Sequence, residues 1–159
     1  MQFDSETPYW IELGLIPDLG PRKSRELLAR YGLPSKIFSA DFNELASIVS
    51  PAIARSFYSR KYARGITPTL QWLAETNHYL VTLAEDSYPK ALLETPDPPP
   101  ILFAIGNPGL FNRAAVAIVG SRNATAQGQV NAHYFAKALS NAGLCVVSGL
   151  ALGIDAAAH

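Results

Sequence analysis

The sequence predicts an α/β protein in two parts: a small helical domain over residues 1–66 and, over residues 67–159, the first part of a domain built on a parallel sheet. Three observations predict it. The first third carries apolar residues at helical spacing, interrupted at short intervals by Gly and Pro. Farther on, the apolar runs "AAVAIVG" and "GLCVVSG" flank one stretch long enough to be a crossover helix, which is the pattern of a βαβ unit with strands buried on both faces. Two more strand-like runs, "YLVTL" and "ILFAIG", precede that unit.

Taken in order, "YWIELGLIPDLGPRKSRELLARYG" reads as a short apolar helix, a hairpin of Ile16, Pro17, Asp18, Leu19 and Gly20, and a second helix opened by Pro21. Leu27, Leu28 and Tyr31 give the second helix a buried stripe, and Gly32 is placed to end it. Asp41 can cap "FNELASIV", while Ser50 and Pro51 start "PAIARSFYSRKYARG", which is expected to stop at Gly65. Four short helices around one small core are expected. A further helix, "PTLQWLAET", is expected from Thr67 and Pro68, with Asn77 closing it. Between the two strand-like runs the cluster Pro96, Pro98, Pro99 and Pro100 forbids regular structure. The crossover helix should run from about Thr125 to Ala142 and lay Phe135, Ala138, Leu139 and Ala142 on the sheet. The sequence then stops in "GLALGIDAAAH", and so small a parallel sheet would leave an edge uncovered, so the chain is expected to be part of a longer protein.

Composition narrows the function. Thirteen basic residues balance thirteen acidic ones among 159, so the mean field steers toward neither nucleic acid nor membrane, and any polyanion site must be local. No apolar run approaches the roughly 20 residues that span a bilayer, and "MQFDSETPYW" lacks a signal segment, which predicts a cytoplasmic protein without membrane contact. The single cysteine, Cys145, rules out an intrachain disulfide and reads as a buried strand thiol.

The chemistry is concentrated in the loops that follow the two best strands. In a parallel sheet both loops lie at the strands' carboxyl ends, so "GSRNAT" and "SGLALGID" should face each other across a crevice. Both lead into helix starts, where amides and glycines suit a phosphate, and Arg122 adds a guanidinium fork. The bland alternative is that Gly120, Gly149 and Gly153 only make tight turns and Arg122 is solvated. A dinucleotide is disfavoured, because the loop lacks the later glycines of G-x-G-x-x-G and no acid follows the second strand to bind a ribose. G-x-x-x-x-G-K-[ST] is absent as well, and no cofactor is expected. Asp155 and His159, four apart, could share a helix face near Ser148, but without G-x-S-x-G they do not make a hydrolase, and no catalytic residue is assigned. His78 and His133 lack ligand-spaced partners, so no metal is expected. Asn123 opens a formal glycosylation sequon in which Thr125 reads better as a helix cap.

"VAIVGSRNATAQGQ" with "GLCVVSGLALGIDAAAH", preceded by "SYPKALLETPDPPPILFAIGN", resembles the DNA-processing protein A family, also called DprA or Smf. The likeness runs almost continuously over residues 87–159. It implies an extended Rossmann-like core that binds single-stranded DNA, protects incoming DNA in natural transformation, helps to load the recombinase RecA and forms a homodimer. By resemblance, Gly120, Ser121 and Arg122 match the family's phosphate-gripping loop, and Ser148, Gly149 and Gly153 match its neighbour. The N-terminal helices resemble that family's small sterile-alpha-motif-like domain. "IPDLGPRKS" also resembles a helix-hairpin-helix, although Asp18 stands where a glycine is usual, and Arg22, Lys23, Arg25, Arg30, Arg60, Lys61 and Arg64 could add a basic surface. Neither loop contains an aromatic residue, so base order should matter little. A rival reading is a Rossmann-like nucleotide phosphoribohydrolase, for which Asp155 is the only acid near the loops.

Overall fold

Most of the helices begin where the sequence supplies a proline or a capping side chain. The computed structural model describes residues 3–159. Helix α1 spans Thr7–Leu15 and α2 spans Pro21–Tyr31, with Pro21 in its first turn and Gly32 closing it at φ 80°. A helix that the spacing does not predict, α3 (Pro34–Phe38), follows: five residues are too few to show a period, yet they bury Ile37 completely. Helix α4 (Phe42–Ile48) is capped by Asp41, whose Oδ1 accepts from the Asn43 amide at 2.8 Å. Helix α5 (Pro51–Ser59) is capped by Ser50, whose Oγ accepts from the Ile53 amide. It stops at Arg60, which takes a left-handed conformation (φ 45°), before the expected end at Gly65. Helix α6 (Ile66–Leu73) starts on Gly65 without a side-chain cap, so Thr67 lies inside it. Asn77, left-handed at φ 62°, stands in the turn after it.

By contact the chain divides into two compact units between Phe111 and Asn112. In the first, Trp10, Leu13, Leu27, Ile37, Leu45 and Phe57 form the centre of the core. Strand β1 (His78–Thr82) pairs antiparallel with β2 (Ile101–Ile105), His78 opposite Ile105 and Thr82 opposite Ile101. This ribbon belongs to the same unit as the helices, because Leu80 and Ile101 pack against their core. Helix α6 covers the other end of the ribbon: the Trp72 ring stacks on His78 at 4.1 Å and meets Phe103 edge-on at 5.8 Å. His78 is thereby a packing residue, with Nδ1 2.7 Å from the Trp72 carbonyl oxygen. The link between β1 and β2 contains a single short helix, α7 (Lys90–Leu93), ahead of the prolines. Side chains hold the proline segment itself: the Tyr88 hydroxyl donates to the Pro99 carbonyl at 2.6 Å, and Arg25 Nη2 donates to Asp97 Oδ1 at 2.8 Å.

Among the described residues of this unit one carboxyl group is buried. Glu12 is 3% exposed, and the half-exposed Arg60 reaches it with Nη2 donating to Oε2 at 3.0 Å and Nε lying 2.8 Å from Oε1, out of hydrogen-bond alignment. The Arg60 guanidinium also lies over the Phe38 ring at 5.5 Å. Burial pushes the Glu12 carboxyl above its ordinary range, with Arg60 opposing, and burial together with nearby Glu12 pushes the Tyr62 hydroxyl up to about 12. A carboxyl raised in the folded state favours folding while protonated, and that contribution is lost as pH rises through the raised value. Thermal melts of the wild type and Glu12→Gln between pH 4 and pH 7 should therefore show the wild type losing ground to the variant as pH rises. A gap that widens in the wild type's favour would contradict the burial argument.

In the second unit β3 (Ala115–Ala117) pairs parallel with β4 (Cys145–Val147), Ala115 opposite Cys145 and Ala117 opposite Val147. Helix α8 (Ala126–Asn141) joins them, capped by Thr125, whose Oγ1 accepts from the Gly128 amide at 3.1 Å. This is the βαβ unit expected from the two apolar runs, and the mixed α/β fold holds. The stripe expected on α8 is not the one it buries. Ala132 and Ala136 are buried, while Phe135 is 66% exposed. Small residues one turn apart let the helix axis come close to its neighbours, and the larger ring next to Ala136 is turned away. Gly143 (φ 88°) reverses the chain into β4, and helix α9 (Ile154–Ala158) packs on α8. Among the described residues no helix is long and apolar enough to cross a membrane.

Candidate functional site

Two loops leave the carboxyl ends of β3 and β4, as the parallel pairing requires. The first, residues 118–125, carries Gly120, Ser121 and Arg122; the second, residues 148–153, carries Ser148, Gly149 and Gly153. The structure brings all six together, and one residue does most of the joining. Asp155, in the first turn of α9 and 5% exposed, accepts from the Gly120 amide through Oδ1 at 3.2 Å and from the Gly149 amide through Oδ2 at 2.9 Å. Each carboxylate oxygen thus holds the glycine at the start of a different loop.

Backbone contacts tighten this clasp. The Ile154 amide donates to the Ser121 carbonyl at 3.2 Å, and the Ser148 hydroxyl donates to the Asp155 carbonyl at 3.3 Å. Gly153, at φ 85°, crosses directly over the first loop, where a Cβ would overlap the Ser121 carbonyl oxygen and lie 2.6 Å from that of Arg122. Gly120 is similarly confined: a Cβ there would stand 2.7 Å from Ile154 Cγ1. Both glycines are required by close approach, which is a stronger demand than a tight turn.

The outer face of the clasp is open. Gly120, Ser121, Arg122, Asn123, Gly149 and Leu150 are exposed. Ser121 Oγ accepts from the Asn123 amide at 3.1 Å, closing a local turn in the first loop. Among the described residues the Arg122 guanidinium has no ion-pair or hydrogen-bond partner, and neither do the Ser121 and Arg122 amides. The Gly120 and Gly149 amides, by contrast, are satisfied internally. The donors available to an anion are therefore the Arg122 fork and the amides beside it.

The six residues expected to form the site lie together, but the place of Asp155 differs from the expected one. The phosphoribohydrolase reading makes Asp155 an acid facing a substrate, whereas the carboxylate is buried and engaged by two amides. The available signal was an acid immediately after G-I at a helix start, a position that commonly faces backbone amides. Four of the seven residues expected to form a basic surface on the helical domain have carboxylate partners. Arg22 and Lys23 pair with Glu26, Arg25 pairs with Asp97, and Arg60 pairs with Glu12, which leaves Arg30, Lys61 and Arg64 without ion pairs among the described residues. In the hairpin the Leu19 and Gly20 amides donate to the Ile16 and Asp18 carbonyls, and Asp18 takes the left-handed conformation (φ 61°) in which a glycine is usual.

Comparison with known proteins bears on the second unit most directly. The profile of the family described as DNA recombination-mediator protein A matches residues 79–159, which include both loops and Asp155. The chain is 36% identical to the Smf protein of Escherichia coli over 96 residues, covering 60% of this chain and 26% of that protein. It is 30% identical to the Smf protein of Synechocystis, covering 98% of this chain and 41% of that protein. The chain thus spans less than half the length of either relative. Among solved structures it is similar to DNA processing protein A from Streptococcus pneumoniae, with a TM-score of 0.73 and 28% identity over the whole of this chain and 53% of that one.

Proposed function

Because this chain belongs to the DNA recombination-mediator protein A family, we propose that its paired loops bind the phosphate backbone of single-stranded DNA. On this reading the protein is a cytoplasmic recombination mediator and not an enzyme: it protects incoming single strands in natural transformation, acts with RecA and works as a homodimer. On the same reading the helical domain of residues 1–66 serves as an accessory to a Rossmann-like binding domain beginning at residue 67, whose first ribbon packs against the helical core. The observation that carries the proposal is the Arg122 guanidinium, exposed and unpartnered among the described residues, beside two free amides on a loop that Asp155 and Gly153 hold in place. A planar fork with neighbouring backbone donors suits phosphate oxygens and carries no base information. Gly120, Ser148, Gly149 and Gly153 serve by shaping the loops, and Ser121 and Arg122 supply the contacts.

The phosphoribohydrolase reading needs a free acid near the loops. Asp155, the acid available there, is buried with both oxygens held by amides, which speaks against it. The two readings separate in one experiment on the intact protein. Binding of a labelled oligothymidylate should weaken steeply with salt, with a log–log slope of about −2 if some three phosphates are contacted. Adenosine monophosphate should compete poorly and release no free base, because a single phosphate gains too few contacts to offset its lost freedom. A flat salt response would remove the phosphate grip, and tight mononucleotide binding with base release would establish the hydrolase.

A further inference from the structure

Glycine amides at the ends of parallel strands are the donors that nucleotide-binding folds turn toward a ligand phosphate. Here the two that open the loops, Gly120 and Gly149, converge on one group, and that group is part of the chain: the Asp155 carboxylate, 3.2 Å and 2.9 Å from them. An anion buried to 5% exposure between two amides occupies the position that a small phosphate would otherwise take. We infer that Asp155 is a specificity-determining residue, filling the anion seat of the Gly120 and Gly149 amides so that the site is closed to a lone phosphate and open only to a chain laid across the outer face.

The inference rests on the single-strand reading for the second half of that statement and on geometry alone for the first. Its chemistry is compact. A bound phosphate would have to expel a carboxylate that already satisfies both amides, and until it left, the two anions would repel each other at short range. The same carboxylate fixes the separation of the loops, because its two oxygens hold them through a rigid planar group. Asp155 thus acts on DNA through the loops and is a positioning residue as well as a plug. A phosphate chain meets Arg122 and the neighbouring free amides, which lie outside the seat.

The test uses the intact protein with inorganic phosphate as the probe. Phosphate at about 10 mM should leave the melting temperature of the wild type unchanged relative to chloride at matched ionic strength, and should raise that of Asp155→Ala by about 3 °C. A merely structural role for Asp155 would give no anion-specific rescue. Asp155→Asn keeps the shape but turns an NH₂ toward one amide, so the seat stays filled. It should gain no phosphate response, shift the Gly120 and Gly149 amide resonances, and bind an oligothymidylate about tenfold more weakly. If Asp155→Ala does not fold, the Asn variant decides by those resonances and by affinity. Equal phosphate stabilisation of the wild type and Asp155→Ala, or an Asn variant with unmoved resonances and wild-type DNA affinity, would overturn the inference. Should the wild type bind no single strand while phosphate still rescues Asp155→Ala, the filled seat stands and the DNA reading falls.

Discussion

Gly153→Ala is expected to cost about 3 kcal/mol of stability in the second unit, and with it the arrangement of both loops. Two penalties add. At φ 85° and ψ −121° the backbone lies in a region that side chains rarely adopt, worth roughly 1–3 kcal/mol. The new Cβ would also meet the Ser121 carbonyl oxygen and stand 2.6 Å from the Arg122 carbonyl oxygen, and backbone cannot rotate aside as a side chain can. Gly14 in α1 provides the contrast: a Cβ there would overlap only Cδ1 of Ile101, the far end of a flexible chain, so Gly14→Ala should be the milder change. Chemical denaturation followed by hydrogen exchange at residues 121–125 would measure the difference. A Gly153→Ala protein with native melting and unchanged protection in the first loop would show that the crossing is not as tight as described.

Arg122→Glu separates binding from folding. Because the guanidinium is exposed and pairs with nothing among the described residues, its replacement should leave circular dichroism and the melting temperature within experimental error of wild type. Single-strand affinity should nevertheless fall at least about tenfold near 0.1 M salt, since a favourable phosphate contact becomes a repulsion, and the salt slope should flatten by roughly 0.7. Arg122→Lys should lie between the two, because it keeps the charge and loses the fork. Unchanged affinity in a correctly folded Arg122→Glu protein would remove Arg122 from the site.

How legible the molecule is in its sequence depends on the range of the interaction concerned. The caps Asp41, Ser50 and Thr125 act two or three residues ahead and can be read directly. So can β3, α8 and β4, whose apolar runs fit a parallel pair and its crossover. Helix α3 escapes because five residues cannot display a period. The buried face of α8 is misassigned because hydrophobicity favours Phe135, whereas close helix packing favours Ala132 and Ala136. That Glu12, Glu26 and Asp97 pair with four basic residues of the helical domain is legible only in part, since Glu12 and Asp97 lie far from their partners in the sequence. Asp155 is half legible: an acid at a helix start signals nearby amide partners, but its tie to Gly120 spans 35 positions. That the loops holding the six residues lie side by side is legible from the parallel-strand pattern, and the family resemblance points to the same residues.

That long tie also sets a timetable for synthesis. Helices α1–α5 close over short sequence distances and can form as soon as they emerge. The first loop cannot, because the Gly120 amide has no acceptor until Asp155 has been made, and β3 lacks its neighbour until β4 follows. Arg122 therefore leaves the ribosome well before the groups that fix its loop. At the usual pace of translation the interval is several seconds, long compared with the microseconds in which a free loop samples its conformations. Over that interval the nascent chain carries Arg122 and its neighbours without their folded geometry, and the two loops come together as one late event on arrival of the segment from Ser148 to Asp155.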